Sequence, residues 1–323
     1  MQLIHPGPEE AMLCLRAVRS AVARAEGIPP AARAMMTAAQ RSILQTDADL
    51  DALAPITPAE LAAGIATPGL GDQLIQAMLL GVLADGEPDP ACLARAEAFA
   101  AALGVSMPGL RTVRLLCEHQ MLLFRLDFFR RSNIRDMLID QYKHHGGIQG
   151  LVHGLLGLRG FREDPELARR YNALGDLPED TLGYAFFRHY RDNGFALPGE
   201  RTGFPEGAVY HDMTHVLSGY GTTVEEETCV GGFTAGYRKV NPFYVLLLPT
   251  ISFSTGVNLT AANQPHVTAT LANPGVAAGF IQAIERGARV NTDLSANWDY
   301  WPLVELPLDE ARARLDIPPR DTN

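Results

Sequence analysis

Apolar residues recur at intervals of three and four along the first hundred positions, which is the spacing of one face of an α-helix. Several of these segments begin at prolines, which suit the first helical turn, and end near glycines, which suit the C-terminus. The period-two alternation that is typical of strands does not occur there. The pattern predicts helices over residues 8–27, 29–45, 69–87 and 90–104.

A second series of helical segments follows from Pro108 onward. Its members are residues 108–132, 133–145, 164–174, a helix starting at Pro178, residues 275–290 and a closing surface helix after Glu310. The sequence therefore predicts an all-α protein. We expect a helical N-terminal domain over residues 1–107 and a second helical domain over residues 108–323.

Composition narrows the class of protein. The 323 residues are 47% hydrophobic and 20% charged, which is the balance of a globular chain rather than a disordered one. The net charge of −10 argues against a nucleic acid as partner, because phosphate binding needs clustered Lys and Arg. The most basic stretch, Arg125–Arg135, is interpreted as a solvated helix face, with contact to anionic lipid headgroups as the alternative.

The four cysteines are far apart and form no CxxC pair, so neither a disulfide framework nor a thiolate zinc site is predicted. We expect reduced, buried thiols in a cytoplasmic protein. The N-terminus has no secretory signal pattern. The longest apolar stretch, residues 243–257, is interrupted by Pro249 and is too short to span a bilayer. Peripheral contact with the cytoplasmic membrane remains compatible with this sequence.

An acidic link joins two of the N-terminal helices. Asp85, Glu87 and Asp89 alternate like the start of a calcium loop, but no bidentate Glu follows at the required distance. A turn that caps the next helix is the favoured interpretation. With its flanking helices, LIQAMLLGVL and ACLARAEAFAAALGV, the link resembles the TerB-like module of tellurite-resistance and other stress-associated proteins.

The segment VYHDMTHVLSGYG carries the candidate chemistry. On a helix, His211 and His215 are four positions apart and Asp212 and His215 three apart, so the three side chains share one face and converge on a single ion. Two imidazoles and a carboxylate suit zinc, and they also resemble the ligand set of non-haem iron. The alternative is ordinary hydrogen bonding at a packed helix interface.

The residues after this helix supply a fourth candidate ligand. Glycines at the end of the helix permit a sharp reversal, and Thr222 to Glu225 has the form of a capping box that opens a second helix. An antiparallel second helix brings its first turns back beside the metal-facing side chains. Glu226 and Glu227 are therefore both candidates.

The segment from His211 to Glu227 resembles the motif of one protein family. HDxxH, eleven intervening residues and then Glu is the motif of the Coq-four family of ubiquinone biosynthesis, and His211 to Glu227 reproduces that spacing. The resemblance selects Glu227 over Glu226. It extends through LPEDTLGYAFFRHYRDNGF, HVLSGYGTTVEEE and WPLVELPLDEARARLDI. The run between Asn193 and His211 is shorter than is usual in the family, and residues 241–274 do not follow its pattern.

The resemblance implies metal-dependent decarboxylation and hydroxylation at carbon one of a prenylated hydroxybenzoate-type ring. It implies that residues 108–323 form a metal-binding and lipid-binding domain. The divalent metal, with zinc favoured over iron, is held by His211, Asp212, His215 and Glu227. The expected partners are a prenylated quinone precursor or other isoprenoid lipid and other ubiquinone-biosynthesis proteins. A homodimer is compatible with this picture.

Two alternatives stay open. The first is a non-catalytic lipid-binding scaffold with a structural zinc, since four protein ligands leave no open position on a tetrahedral ion. The second is a TerB-like stress-response protein with a diverged lipid-binding half.

The helix from Pro178 carries an apolar stripe of Leu182, Phe186 and Tyr190, which is interpreted as core. His189 on the same helix either orients a metal ligand or belongs to that core.

Overall fold

The regular secondary structure of this chain is helical. The computed structural model describes residues 2–132, 163–259, 267–295 and 298–320, and within them only isolated β-bridges accompany the helices. The all-α prediction is confirmed. The helices are α1 (Pro8–Val22), α2 (Pro30–Ser42), α3 (Pro58–Gly64), α4 (Leu70–Leu83), α5 (Pro90–Ala102), α6 (Pro108–Cys117), α7 (Met121–Arg131), α8 (Pro165–Asn172), α9 (Leu182–Asp192), α10 (Val209–Ser218), α11 (Val224–Tyr237), α12 (Pro242–Ser254), α13 (Pro274–Ala288) and α14 (Leu308–Arg314). The helix predicted over residues 133–145 lies outside the described ranges.

Two compact units divide the chain. The first comprises the residues up to Phe129 together with residues 224–236 and 241–288. In it, α2 packs against α13, and α4 packs against α1 and α12. The apolar faces predicted for the N-terminal helices therefore share one core with helices from late in the chain. The domain boundary predicted after residue 107 stays a prediction, because a boundary between sequence modules need not coincide with one between compact units.

The helices α11 and α13 of the first unit approach each other backbone to backbone. A Cβ atom placed on Gly287 lies 2.0 Å from the Phe233 carbonyl oxygen, and one placed on Gly236 lies 2.5 Å from the Ile284 carbonyl oxygen. No side chain fits at either position without moving a helix. Glycine is therefore required at this crossing, and it sets how closely α11 lies on the core.

The second unit comprises residues 130–223, 237–240 and 289–323, and its core forms around α9. Leu182, Phe186 and Tyr190 are fully buried, which confirms the predicted stripe. The C-terminal segment closes over the start of α9, where the Leu182 amide donates to the Leu306 carbonyl at 2.9 Å and the Gly183 amide to the Val304 carbonyl at 2.8 Å. The unit thus joins sequence-distant segments by backbone hydrogen bonds.

Several observed helices differ from the predicted ones. The helix expected from Pro178 begins at Leu182, because the Thr181 hydroxyl accepts the Tyr184 amide and acts as its cap. The predicted helix over 108–132 is two helices, broken at His119, whose φ is 53°. No helix was predicted in the apolar stretch with Pro249, and most of this stretch lies in α12. Within the described residues, no helix combines the length and the apolar character needed to cross a membrane.

All four cysteines are free and buried, as expected from their spacing. Burial raises the pKa of the Cys14 thiol to about 12, so this thiol is neutral at physiological pH. Inert packing is the role that the structure supports for it.

The acidic link between α4 and α5 serves helix capping. The Asp85 carboxylate accepts the amides of Ala31 and Ala32 at 2.6 and 2.8 Å, and the Asp89 carboxylate accepts the Ala91 amide at 2.8 Å. Helix α2 has a proline at its own cap position, Pro29, which has no side-chain acceptor. Asp85 therefore caps α2 across the unit, and Asp89 caps α5, the next helix, in agreement with the capping interpretation.

The substitution Asp85→Ala should lower the free energy of unfolding by about 1 to 2 kcal/mol, because it removes the acceptor for two amides at a helix N-terminus. Chemical denaturation followed by circular dichroism measures the change. Glu87→Ala is the matched control, since this side chain is 79% exposed, and it should change the value by less than about 0.5 kcal/mol. Calcium should leave both midpoints unchanged. A wild-type midpoint that rises with calcium, and does not rise in Asp85→Ala, would restore the calcium-loop interpretation.

Candidate metal centre

Helix α10 presents its two histidines in different environments. Its apolar positions Val209, Met213 and Leu217 are fully buried, and they fix which face of the helix is turned inward. His215 lies beside this face and is only 2% exposed, whereas His211, one turn earlier, is exposed. The pair therefore consists of one anchored imidazole and one that solvent reaches.

The end of α10 fixes the orientation of the buried imidazole. Gly219 adopts a left-handed conformation with φ 76°, and its amide donates to the His215 carbonyl at 2.8 Å, so the chain reverses as predicted. The reversal places the carbonyl oxygens of Gly221 and Tyr220 at 2.9 and 3.2 Å from His215 Nδ1. A carbonyl only accepts, so Nδ1 carries the proton. The lone pair of neutral His215 is then on Nε2.

That lone pair lies next to two further donor groups. His215 Nε2 is 3.2 Å from His211 Nε2, and the ligand atoms of these two residues and Glu227 all lie within 4.8 Å of one another. Two nitrogens bound to tetrahedral zinc at about 2.0–2.1 Å stand about 3.3 Å apart, close to the spacing of the two imidazoles. The donor types and the spacing fit a divalent first-row metal. Three of the four predicted ligands are thus brought together.

Asp212, the fourth predicted ligand, is not in this group. Its carboxylate accepts a hydrogen bond from the Tyr190 hydroxyl of α9. Burial, followed by the adjacent Asp212 carboxylate, raises the pKa of the Tyr190 phenol well above its usual value, so the phenol is a permanent donor at neutral pH. The role of Asp212 as a ligand stays a prediction, and the structure shows it as the acceptor of a buried tyrosine.

His189 of α9 packs against the anchored imidazole. Its ring is stacked on that of His215, with centroids 5.3 Å apart and an interplanar angle of 27°. The sequence left open whether His189 orients a ligand or belongs to the core. The stacking supports an orienting role, because the ring restricts rotation of His215 about its side-chain bonds.

Helix α11, which carries Glu227, begins one residue later than its predicted cap implies. Its first residue is Val224, so Thr223 immediately precedes it, and the Thr222 hydroxyl instead donates to the Asn193 side-chain oxygen at 2.9 Å. Because a hydroxyl that donates can also accept, the capping box predicted from Thr222 to Glu225 stays a prediction. The choice of Glu227 over Glu226 agrees with the observed group, which includes only Glu227 of the two.

Two arginines near the C-terminus complete the end of α10, and sequence analysis missed both. Arg312 donates to the carbonyls of Leu217 and Val216 at 3.0 and 3.1 Å, and Arg320 donates to the Gly219 carbonyl at 2.8 Å. Cations favour helix C-termini, where carbonyls lack partners. No short-range pattern reveals this pairing, because nearly a hundred positions separate the two segments.

No protein-family model matches this chain, and no curated protein matches it. The likenesses to the Coq-four and TerB-like families rest on the motif residues quoted above.

Purified protein should contain about one equivalent of divalent metal, as measured by elemental analysis without added ions. His215→Ala should lose it, because this substitution removes the one imidazole whose orientation is fixed by backbone carbonyls. Glu227→Gln should weaken binding more than Asp212→Asn in a chelator competition, since Glu227 belongs to the group and Asp212 is engaged by Tyr190. Glu225→Gln, an exposed acid on the same helix, is the control and should bind metal like the wild type. Equal metal content in wild type and His215→Ala would reduce the histidine pair to helix packing.

Proposed function

We propose that this chain acts in ubiquinone biosynthesis as a metal-dependent enzyme that removes the carboxyl group at carbon one of a prenylated hydroxybenzoate-type ring. The observation that carries the proposal is the convergence of His211, His215 and Glu227. These are residues of the motif through which the sequence resembles the Coq-four family. The spacing of the motif and the spatial grouping agree on these three side chains and differ at Asp212.

The number of converging ligands favours catalysis over a purely structural metal. Structural zinc sites use four protein ligands, whereas catalytic sites use three and keep one position for water or substrate. The group holds three, and the Asp212 carboxylate, which is not in the group, accepts a hydrogen bond from Tyr190. Exposure of His211 provides access from solvent. Three protein ligands would leave one position of a tetrahedral ion for a carboxylate of the substrate.

The residues of the site would hold the metal ion and keep its ligands in their orientation. His211, His215 and Glu227 would hold the ion, and a bound divalent metal supplies a Lewis acid that polarises a coordinated carboxylate. The Gly221 carbonyl holds His215 in the tautomer whose lone pair is on Nε2. Tyr190 keeps the Asp212 carboxylate in place.

Replacement of the carboxyl group of the ring by a hydroxyl group consumes one dioxygen, two electrons and two protons and yields carbon dioxide and water. The reaction therefore requires a reductant.

Helix α7 supports peripheral contact with a membrane, where a prenylated substrate resides. Leu122, Leu126 and Phe129 fall on one face at helical spacing, with exposed fractions of 73%, 59% and 37%, and Leu123 beside them is 49% exposed. Arg125 lies within the same stretch, and Arg130 and Arg131 end the helix. Apolar side chains with flanking arginines suit an interface rich in anionic lipid.

Purified protein with dioxygen and a reductant should release labelled carbon dioxide from 4-hydroxy-3-prenylbenzoate that carries ¹³C in its carboxyl group. His215→Ala and Glu227→Gln should slow the release by about 100-fold or more, because they remove groups that hold the ion. Glu225→Gln should react like the wild type. Gas-phase mass spectrometry measures the carbon dioxide, and the ring product distinguishes plain decarboxylation (a prenylphenol) from hydroxylation (a prenylhydroquinone).

A different result would favour the scaffold. If metal-loaded wild type binds the prenylated acid but releases no carbon dioxide with or without the reductant, the chain is a lipid-binding protein with a structural metal. If it binds neither metal nor prenylated acid, the ubiquinone proposal fails.

The double substitution Leu122→Ser/Leu126→Ser should weaken binding to vesicles of anionic lipid by about tenfold or more, since each buried leucine contributes about 1.5–3 kcal/mol. Vesicle flotation measures bound protein. Phe204→Ser is the matched control, because Phe204 is also an exposed large apolar side chain, and it should bind like the wild type. Equal binding of the double variant would assign the α7 stripe to another role.

A further inference from the structure

The first unit contains an apolar cavity that the proposed reaction does not use. It has a volume of about 130 Å³ and lies among α1, α2, α4, α12 and α13. The side chains around it include Leu15, Met35, Met36, Leu74, Leu80 and Ile281. Most of its walls therefore come from the N-terminal helices, outside the segments that carry the candidate metal ligands.

The chemistry of the walls selects an uncharged aliphatic occupant. Among the described residues that line the cavity, none is charged or aromatic, and the polar side chains are Cys14, Gln73 and Gln76. The Cys14 thiol is neutral because burial raises its pKa to about 12. The walls offer water few hydrogen-bond partners, which favours an apolar occupant over water. Two flexible methionines let the walls adapt to an irregular hydrocarbon.

The N-terminal segment closes one side of the cavity. Gln73 of α4 donates to the Ile4 carbonyl and accepts the Ile4 amide, both at 2.8 Å, so both polar atoms of its side chain bind this N-terminal strap. The neighbouring Leu3 lines the cavity. His5 Nδ1 lies 3.2 Å from the carbonyl of Ile43, at the end of α2. The strap therefore runs from α4 to α2 and is part of the wall.

The volume of the cavity indicates the size of its occupant, and the residues at its rim indicate where the occupant enters. An apolar cavity of about 150 Å³ binds a molecule as large as benzene, and the cavity here, at 130 Å³, is of that size. Its rim includes Ala77, which is exposed, and the amide of Gln76. A chain that inserts from this rim keeps its polar end near water.

We propose that this cavity binds the end of an aliphatic chain, linear or branched, from a single-chain amphiphile whose polar group stays at the rim by Gln76. The site is distinct from the metal centre in its residues and its chemistry, and it does not depend on the proposed reaction. Its occupant is recognised by shape and apolar surface alone. An equally long molecule with polar groups at both ends should be rejected, because one of those groups would be buried without a partner.

Titration of the full chain with 1-hexanol tests the proposal, with methionine methyl groups labelled with ¹³C and followed by NMR. The signals of Met35 and Met36, assigned through their leucine variants, should shift and saturate, while that of Met213 in the second unit should not move. Ala39→Met places a longer side chain in the cavity and should weaken hexanol binding at least tenfold. Ala94→Met, at an exposed position of α5, is the matched control and should bind like the wild type.

Three results would overturn the proposal. One is a shift that rises linearly with hexanol and never saturates. Another is an equal response to 1,6-hexanediol. The third is undiminished binding by a folded Ala39→Met. If Ala39→Met does not fold, Ala77→Leu, at the exposed rim, provides the same test, and unchanged hexanol affinity in that variant counts against the site.

Discussion

The candidate centre depends on the hydrogen bonds that tie the His215 imidazole to the backbone just beyond its own helix. Because Nδ1 lies against the carbonyls of Gly221 and Tyr220, the ring cannot turn over, and Nε2 is held toward His211 and Glu227. Those carbonyls are in place only because Gly219 reverses the chain in a left-handed conformation, which costs other residues strain. The local sequence after the helix therefore determines the ligand geometry.

Further contacts restrict the movement of helix α10 and of its His215 side chain. His189 stacks on the imidazole, and the Arg312 guanidinium binds the last carbonyls of α10. In the first unit, the crossing at Gly236 and Gly287 holds the helix that bears Glu227 close to its core. Side chains that approach a metal need such support, since a ligand that moves by an ångström loses much of its binding energy. Both helices that supply ligands are thus fixed by contacts away from the ligand atoms.

Helical periodicity in the sequence predicted the all-α class and the buried stripe of α9, since both follow from spacing alone. It also predicted the approach of His211 and His215, because an i, i+4 pair must share a face. Helix α12 was missed, because a proline usually interrupts a helix. Within this buried apolar helix, neighbouring contacts compensate for the one hydrogen bond that Pro249 cannot donate. The short α3 was missed, although its capping box between Thr57 and Glu60 is visible in the sequence.

Asp212 shows where a pattern within one helix stops being informative. Spacing places it on the histidine face, but the position of its carboxylate depends on Tyr190, which the sequence assigns to the core of another helix. A buried phenol needs a hydrogen-bond partner, and leaving it unsatisfied costs about 1–3 kcal/mol. Tyr190 thus belongs both to the core and to the surroundings of the site. Because one hydrogen bond serves both, the stability of the second unit and the geometry beside the metal ligands cannot be changed independently at this position.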